Sequence, residues 1–161
     1  MEIFMKEDDL IVSKTDLKGH ITYGNEHFIK ISNYSEEELL GAPHNILRHE
    51  DMPKAVFALL WERIQNKKHI NAFVKNKTKN GDFYWVFANV TGSVDTNGNL
   101  IGYYSVRRKP SQKGVEVMSR IYQEMIQKER ADGITGSMNL LNKKLTEEGV
   151  EYDEFVINLQ K

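Results

Sequence analysis

The hydrophobic pattern of the first 110 residues begins with a period of two residues. Leu10–Ser13 is a short apolar run, and polar and apolar residues alternate in His20–Tyr23. The turn signal Asp16–Gly19 lies between these two runs. Short alternating runs on either side of a glycine-containing turn are typical of paired antiparallel strands. The pattern therefore predicts a β-hairpin across residues 10–25.

Beyond Asn25 the hydrophobic period changes to three or four residues. Phe28 and Ile31 predict one short helix, and Ser35 followed by three glutamates predicts the start of another. The clearest helix is predicted from Met52 to about Asn66, because an apolar stripe repeats at helical spacing through Val56, Leu59, Leu60 and Ile64. Asp51 is the predicted N-cap of this helix, and Pro53 is expected in its first turn.

After Lys68 the pattern predicts three further strands, Ile70–Thr78, Phe83–Ser93 and Leu100–Arg107. Asn80-Gly81 and Asn97-Gly98 separate them and are strong hairpin signals. On the central strand we expect Trp85 and Asn89 to lie on the inward face, next to Asn76 of the preceding strand. The whole pattern predicts an α+β domain in which a five-stranded antiparallel sheet carries short helices on one face.

The residues beyond Pro110 predict a helical extension. Helical spacing joins Val115, Met118, Tyr122 and Met125, and Gly133 and Gly136 interrupt the pattern. Gly149 is a plausible C-cap of a second helix, and Phe155 and Leu159 fit a final short one. We therefore divide the chain into an N-terminal arm (1–9), a sensor domain (10–110) and a helical extension (111–161). The extension is expected to pack on its own domain or on a second chain, which favours a homodimer.

Composition narrows the possible functions. The 161 residues carry a formal net charge of -1, and no basic stripe indicates nucleic acid or a membrane surface. The chain has no cysteine, which excludes disulfides, thiolate metal sites and cysteinyl cofactor adducts. The N-terminus does not have the pattern of a secretory signal, and no 18-residue apolar stretch occurs, so a cytoplasmic protein without membrane insertion is expected.

A dense polar segment precedes the predicted long helix and is the most specific feature of the sequence. Pro43–Ala55 reads PHNILRHEDMPKA. Together with the surrounding residues 21–61, KNKTKNGDFYWVFANV and GYYSVRRKP, this segment strongly resembles the PAS domain of the aerotaxis and energy-taxis receptors. The likeness covers roughly residues 10–110 and implies the PAS fold for the predicted five-stranded domain.

The resemblance also implies a function. Members of this family bind FAD non-covalently and report redox state to a chemoreceptor signalling domain. No long heptad hairpin or transmembrane segment follows Lys109. The implied arrangement is therefore that of two-protein receptors, in which the PAS protein signals to a separate chemoreceptor-like partner.

Five candidate FAD-binding residues follow from the resemblance, and two more from the strand pattern. Carried over by position, the family's residues are Arg48, His49, Asp51, Asn25 and Asn76. Asn89 and Trp85 are added because of their expected inward face. An asparagine amide can match the donors and acceptors of a flavin edge. Arg48 could pair with the pyrophosphate or with the part of the ring that gains charge on reduction.

Structural roles compete with these assignments. Asp51 and Asn25 could be helix caps, and Arg48 could form an ion pair with Asp51. Asn76 and Asn89 are harder to explain structurally, because an unsatisfied buried amide costs about 1–3 kcal/mol.

Two other functions remain open at this level. One is a haem-binding PAS oxygen sensor, which would need an axial histidine such as His49 or His69. The other is a PAS module without cofactor that serves only for dimerisation or docking. No nucleophile–base pair or carboxylate cluster indicates an enzyme.

Overall fold

A computed structural model describes all residues, 1–161. Its five strands are β1 (Leu10–Thr15), β2 (Ile21–Gly24), β3 (Ile70–Lys77), β4 (Phe83–Val94) and β5 (Leu100–Arg108). They form one antiparallel sheet in the order β2-β1-β5-β4-β3. The predicted five-stranded α+β fold is therefore confirmed. The N-terminal arm is attached to the sheet, because Met1 and Ile3 form backbone hydrogen bonds with Phe83.

The helices between β2 and β3 lie on the inner face of the sheet, which we define as the face that carries Val74 and Asn76. They are α1 (Glu26–Ser32), α2 (Glu36–Leu39), a 3-10 turn (His44–Leu47) and α3 (Lys54–Gln65). Ser35 caps α2 in a capping box, as its position before three glutamates predicts.

The N-terminus of α3 differs from the prediction. Its N-cap is Pro53, whose side chain forms no capping hydrogen bond, and Asp51 lies two residues too early. Instead, the backbone N–H groups of Lys54 and Ala55 donate to the two carboxylate oxygens of Glu129, each at 2.9 Å. A carboxylate at this position satisfies helix N–H groups and complements the positive end of the helix dipole. The cap therefore comes from the far end of the chain.

The C-terminal extension covers the outer face of β3 and β4. It contains α4 (Gln112–Glu148), bent at Gly133 where φ is +75°, and α5 (Tyr152–Gln160). The two halves of α4 fold back on each other, so that the Lys144 amine lies 2.8 Å from the Glu124 carboxylate. The extension thus packs on its own domain, which was one of the two predicted arrangements.

The register of the β3–β4 hairpin decides which residues share a face. The loop is Lys79-Asn80-Gly81, closed by a hydrogen bond from Thr78 N–H to the Asp82 carbonyl, and Gly81 has φ +89°. This is a three-residue loop with its glycine in the left-handed region. A two-residue turn at Asn80-Gly81 would shift the register by one residue, and a one-residue shift exchanges the two faces.

The inward placement of Trp85 and Asn89 is therefore wrong. In the observed register Asn76 lies opposite Tyr84, and Asn89 lies opposite Asn71. Trp85 points to the outer face and stacks on Tyr122 of α4, with ring centroids 6.2 Å apart. The sequence predicted correctly which residues of β4 share a face. Because both faces of this strand are buried, hydrophobicity alone did not indicate which of the two faces is the inner one.

Candidate functional site

A cavity of about 260 Å³ lies between the inner face of the sheet and the helices α3 and His44–Leu47. Aromatic and aliphatic side chains form much of its wall: Phe57, Leu60, Trp61, Ile64, Val74, Ala88, Val90 and Tyr103. Polar side chains on β1, β3 and β5 and in the segment before α3 also line it: Ser13, His44, Asn45, Arg48, Asn76, Ser105 and Arg107. Sites of this kind, apolar with a few convergent polar groups, are typical of small-molecule pockets.

The charge of the cavity is strongly one-sided. Three basic residues, Lys18, Arg48 and Arg107, line it, and no aspartate or glutamate does. The chain as a whole has a formal net charge of -1, so this local excess of cations does not reflect the composition. A site with this charge favours an anionic ligand.

Arg107, on β5, is the most buried of these cations, with 2% of its surface exposed. One of its terminal nitrogens donates to Ser13 Oγ, and its guanidinium lies 4.9 Å from the ring centroid of Phe28. It forms no ion pair, and its Nε has no hydrogen-bond partner. Burial lowers the pKa of Arg107 to about 10, so the side chain remains charged at neutral pH.

His44 continues this hydrogen-bonded chain. Its Nε2 lies 3.0 Å from Ser13 Oγ, and its ring stacks on Phe28. Burial, and then the positive charge of Arg107, lower the pKa of His44 to about 3. Because Ser13 Oγ accepts from Arg107, its hydroxyl proton is free to go to a neutral His44, which then accepts at Nε2.

Asn76, on β3, is the predicted site residue that lies deepest in the cavity. It is 5% exposed, and no protein group forms a hydrogen bond with its amide. The neighbouring Tyr84 hydroxyl is buried and also unpaired. Burial raises the pKa of the Tyr84 hydroxyl overall, whereas the positive charge of Arg107 and then the nearby Asn76 amide lower it. Asn76 and Tyr84 do not reach full hydrogen-bond geometry. Of these two polar side chains only Asn76 lines the cavity, because Tyr84 is fully buried behind it.

Arg48 lines the cavity at its solvent-exposed end. The Cζ atom of its guanidinium lies 3.7 Å from the ring centroid of Phe57, and its backbone pairs with Asn76 in an isolated bridge. Partial burial lowers its pKa. The alternative ion pair with Asp51 does not form, because Asp51 binds Lys75 instead, with 2.7 Å between the amine and the carboxylate.

His49 and Asp51 lie next to the cavity but do not line it. The His49 Nδ1 accepts a hydrogen bond from the Asp51 backbone N–H at 3.0 Å, and its ring contacts Phe83 edge-on. Desolvation, followed by the charge of Lys75, lowers the pKa of His49. These two residues shape the turn that leads into α3.

Asn25 is the N-cap of α1, which was the structural role considered for it. Its Oδ1 accepts from the backbone N–H groups of Phe28 and Val12, and its Nδ2 donates to the Leu10 carbonyl. These bonds fix α1 to β1 and leave the side chain outside the cavity lining. Of the seven predicted residues, only Arg48 and Asn76 therefore line the cavity.

The sequence interpretation missed the residues that β5 contributes. Tyr103, Ser105 and Arg107 alternate along this strand and all line the cavity. Their signal was an arginine and a serine at alternate positions of a predicted strand, which places both on one face. His44 was not among the predicted site residues either, because its contact with Ser13 spans 31 residues and has no local signal in the sequence.

The histidines considered as haem ligands are not placed for that role. His49 and His69 are both outside the cavity lining, and His69 Nδ1 lies 3.1 Å from the Asn89 amide on the outer face. No group of three or more metal-ligating side chains forms a cluster. No helix combines the length and the apolar composition that a membrane crossing requires.

Comparisons with known proteins agree with this fold. The PAS fold family matches residues 21–107, more than half of the chain. The aerotaxis receptor of Escherichia coli (strain K12) is 38% identical over 121 residues, which are 75% of this chain and 24% of the receptor. The biofilm dispersion protein BdlA of Pseudomonas aeruginosa is 26% identical over 132 residues, 78% of this chain and 29% of that protein.

A solved structure of a light-oxygen-voltage domain, described with a flavin analogue, has the same fold. Its TM-score is 0.63 at 17% identity, over 70% of this chain and 85% of that chain. The chain spans about a quarter of the length of the curated relatives described above. Neither relative is named for a catalytic activity, in agreement with the prediction of a non-enzymatic domain. The chain belongs to the PAS fold family, and its PAS domain is of the aerotaxis-receptor type.

Proposed function

We propose that this protein is a cytoplasmic redox sensor for energy taxis that binds FAD non-covalently and signals to a separate chemoreceptor-type protein. The similarity to an aerotaxis receptor supports the taxis role. The observation that carries the ligand class is the cavity itself, with flat aromatic walls, an unpaired amide and three cations without a carboxylate.

The residues present fit a flavin. A cavity of about 260 Å³ lies close to the lower end of small-molecule pocket sizes, roughly 300–1,000 Å³, and suits one ring system rather than a whole dinucleotide. Trp61 and Tyr103, with ring centroids 5.3 Å apart, offer an aromatic wall. Asn76 carries both a donor and an acceptor for the polar edge of such a ring.

Each residue would act by binding or by positioning. Asn76 and Arg107 would hold the ring, and Arg48 would bind at the cavity mouth. His49 and Asp51 would position Arg48 by fixing the turn that precedes α3. Bound FAD supplies reversible redox chemistry, in which reduction adds negative charge to the ring.

The helix α3 supports a route from the cavity to the C-terminal helices. Its cavity side carries Phe57 and Trp61, while Glu129 of α4 caps its N-terminus. At its other end, Arg63 forms two hydrogen bonds, 2.8 and 2.9 Å long, with the Asp153 carboxylate of α5. A ligand that moves α3 therefore changes contacts at both ends of the helix, and this would bias the packing of α4 and α5.

A partner would read this change in the extension. We propose that the surface of α4 and α5 docks to the chemoreceptor-type protein, and that the protein acts as a homodimer through the same extension. Size measurement by light scattering tests the dimer, and co-purification with candidate receptors in oxidised and reduced buffer tests the redox dependence of docking.

The first test is the visible spectrum of purified protein, alone and after incubation with FAD, before and after anaerobic dithionite. Flavin bands that bleach on reduction, with FAD released on heating, support the proposal. A Soret band would replace it with the haem sensor. A colourless protein that takes up no FAD would leave a cofactor-free docking module.

A further inference from the structure

We propose that the cavity recognises FAD at two depths with two different arginines. Arg107 faces the ring edge that becomes negative on reduction, and Arg48, together with Lys18, binds the phosphates at the mouth. This inference rests on the proposed function. It chooses the phosphates for Arg48, where the sequence left both the phosphates and the ring open, and it assigns the ring to Arg107, which the sequence analysis did not identify.

The interior position is defined by the isolation of Arg107. The side chain is 2% exposed, its Nε has no partner, and its only side-chain hydrogen bond is to the neutral Ser13. A buried charge without a counter-charge is unfavourable unless another group compensates it. The nearest aromatic ring, Phe28, offers only a weak cation–π contact. Arg107 is thus placed to gain most from a ligand that brings negative charge into the interior.

The mouth has a different character. Lys18 and Arg48 are exposed and line the cavity together with the exposed Asn45. Cations in contact with water lose little hydration, so they suit a phosphate that also remains hydrated. Arg48 is held over the ring of Phe57, which pre-orients its planar guanidinium for an anion. The size of the cavity, about 260 Å³, leaves the phosphates of a bound dinucleotide outside the interior.

Three variants with two ligands separate these roles. The variants are Arg48→Met, Arg107→Met and, as matched control, Arg108→Met. Arg108 is the next residue on β5, is exposed and does not line the cavity. The ligands are FAD and riboflavin, which share the flavin ring, whereas only FAD carries the pyrophosphate and its adenosine. Dissociation constants are measured by flavin fluorescence, and circular dichroism verifies the fold of each variant.

We expect Arg48→Met to weaken FAD binding about tenfold and to leave riboflavin binding within about twofold, since riboflavin has no phosphate. Arg107→Met should weaken both ligands to a similar degree, and Arg108→Met should change neither. If Arg48→Met weakens riboflavin as strongly as FAD, the assignment of Arg48 to the phosphates is overturned.

The redox potential of the bound flavin provides the second readout for Arg107. Loss of its charge should weaken binding of the reduced form at least about tenfold more than that of the oxidised form. For a two-electron couple, tenfold corresponds to a shift of about 30 mV, here to more negative potential. Arg107→Lys retains the charge and should keep the potential closer to that of wild type.

An unchanged potential in flavin-loaded Arg107→Met, or in flavin-loaded Arg107→Ala if the methionine variant does not fold, would overturn the role of Arg107. That result would leave the proposed function intact, because the variant still carries flavin. Failure of the wild-type chain to bind either FAD or riboflavin would instead overturn the proposed function and this inference with it.

Discussion

The two faces of β3 and β4 differ in how completely their side chains are satisfied. On the outer face, Phe73, Trp85 and Phe87 are buried under α4, and Gly114 allows the helix to approach the Phe73 ring so closely that a Cβ there would clash. On the inner face, Asn76 lines the cavity, and the buried Tyr84 hydroxyl has no hydrogen-bond partner in the protein.

The tyrosines of the extension show the same contrast. The Tyr122 hydroxyl donates to the Phe73 carbonyl at 2.7 Å, and the Tyr152 hydroxyl donates to the Asn71 carbonyl at 2.9 Å. Both carbonyls belong to the open edge of β3, so α4 and α5 satisfy backbone groups that a further strand would otherwise pair. The outer face therefore satisfies its polar groups within the protein, whereas the inner face retains unpaired polar groups next to or behind the cavity.

The largest expected effect is the loss of a core side chain on the outer face. Phe73→Ala removes a fully buried ring from beneath α4 and should lower the free energy of unfolding by about 3–5 kcal/mol. Trp61→Ala is the matched change on the cavity wall, where the side chain is 37% exposed, and should cost about half as much or less. Urea unfolding measures both; equal losses would contradict the proposed difference between the faces.

Acid should destabilise the inner side of the sheet through His44. The pKa of His44 is about 3 in the folded protein against an ordinary value of 6.5, so below pH 6.5 the unfolded chain binds a proton that the folded chain does not. The stabilising effect of the neutral ring is therefore complete above pH 6.5 and is lost as the pH falls towards 3. The slope should approach about 1.4 kcal/mol per pH unit between pH 6 and 4.

His44→Gln removes the titrating group and is the control for this effect. We expect its free energy of unfolding to vary less steeply with pH between pH 6 and 4 than that of wild type. The difference in slope should correspond to the uptake of up to one proton on unfolding. Parallel curves for the two proteins would show that His44 titrates normally.

The connection between α4 and α3 should contribute a smaller amount. Glu129→Ala leaves two helix N–H groups without their carboxylate and should cost about 1–2 kcal/mol, as for other lost caps. Glu147→Ala, an exposed position near the end of the same helix, should change stability by less than about 0.5 kcal/mol. A loss of similar size in both variants would mean that the cap does not hold α3.

The smallest effect compares two asparagines on opposite faces. Asn76→Leu removes the inner-face amide and should weaken FAD binding by about 0.5–1.5 kcal/mol, the net value of one hydrogen bond. Asn89→Leu changes the outer face, where the amide bonds to Asn71 at 3.0 Å, and should leave FAD binding unchanged. Titration with FAD distinguishes the two, and a stronger effect for Asn89 would contradict the face assignment.

The sequence by itself determined the elements of this protein, because their signals are local. Turn residues at Asn80-Gly81, the capping box at Ser35 and the apolar stripe of α3 each depend on neighbours within a few positions. The break in the C-terminal helix at Gly133 and the C-cap at Gly149 followed in the same way. The motif Pro43–Ala55 indicated the family, and one residue that it nominated, Arg48, lines the cavity.

Only the tertiary structure decided which side chains meet. The cap of α3 comes from Glu129, 75 residues from Lys54, and the bond between Ser13 and Arg107 spans 94 residues. The face on which Asn89 lies depended on whether the loop between β3 and β4 has two residues or three. The physical reason is that both faces of β3 and β4 are buried, so alternation fixes which residues share a face but not what covers that face.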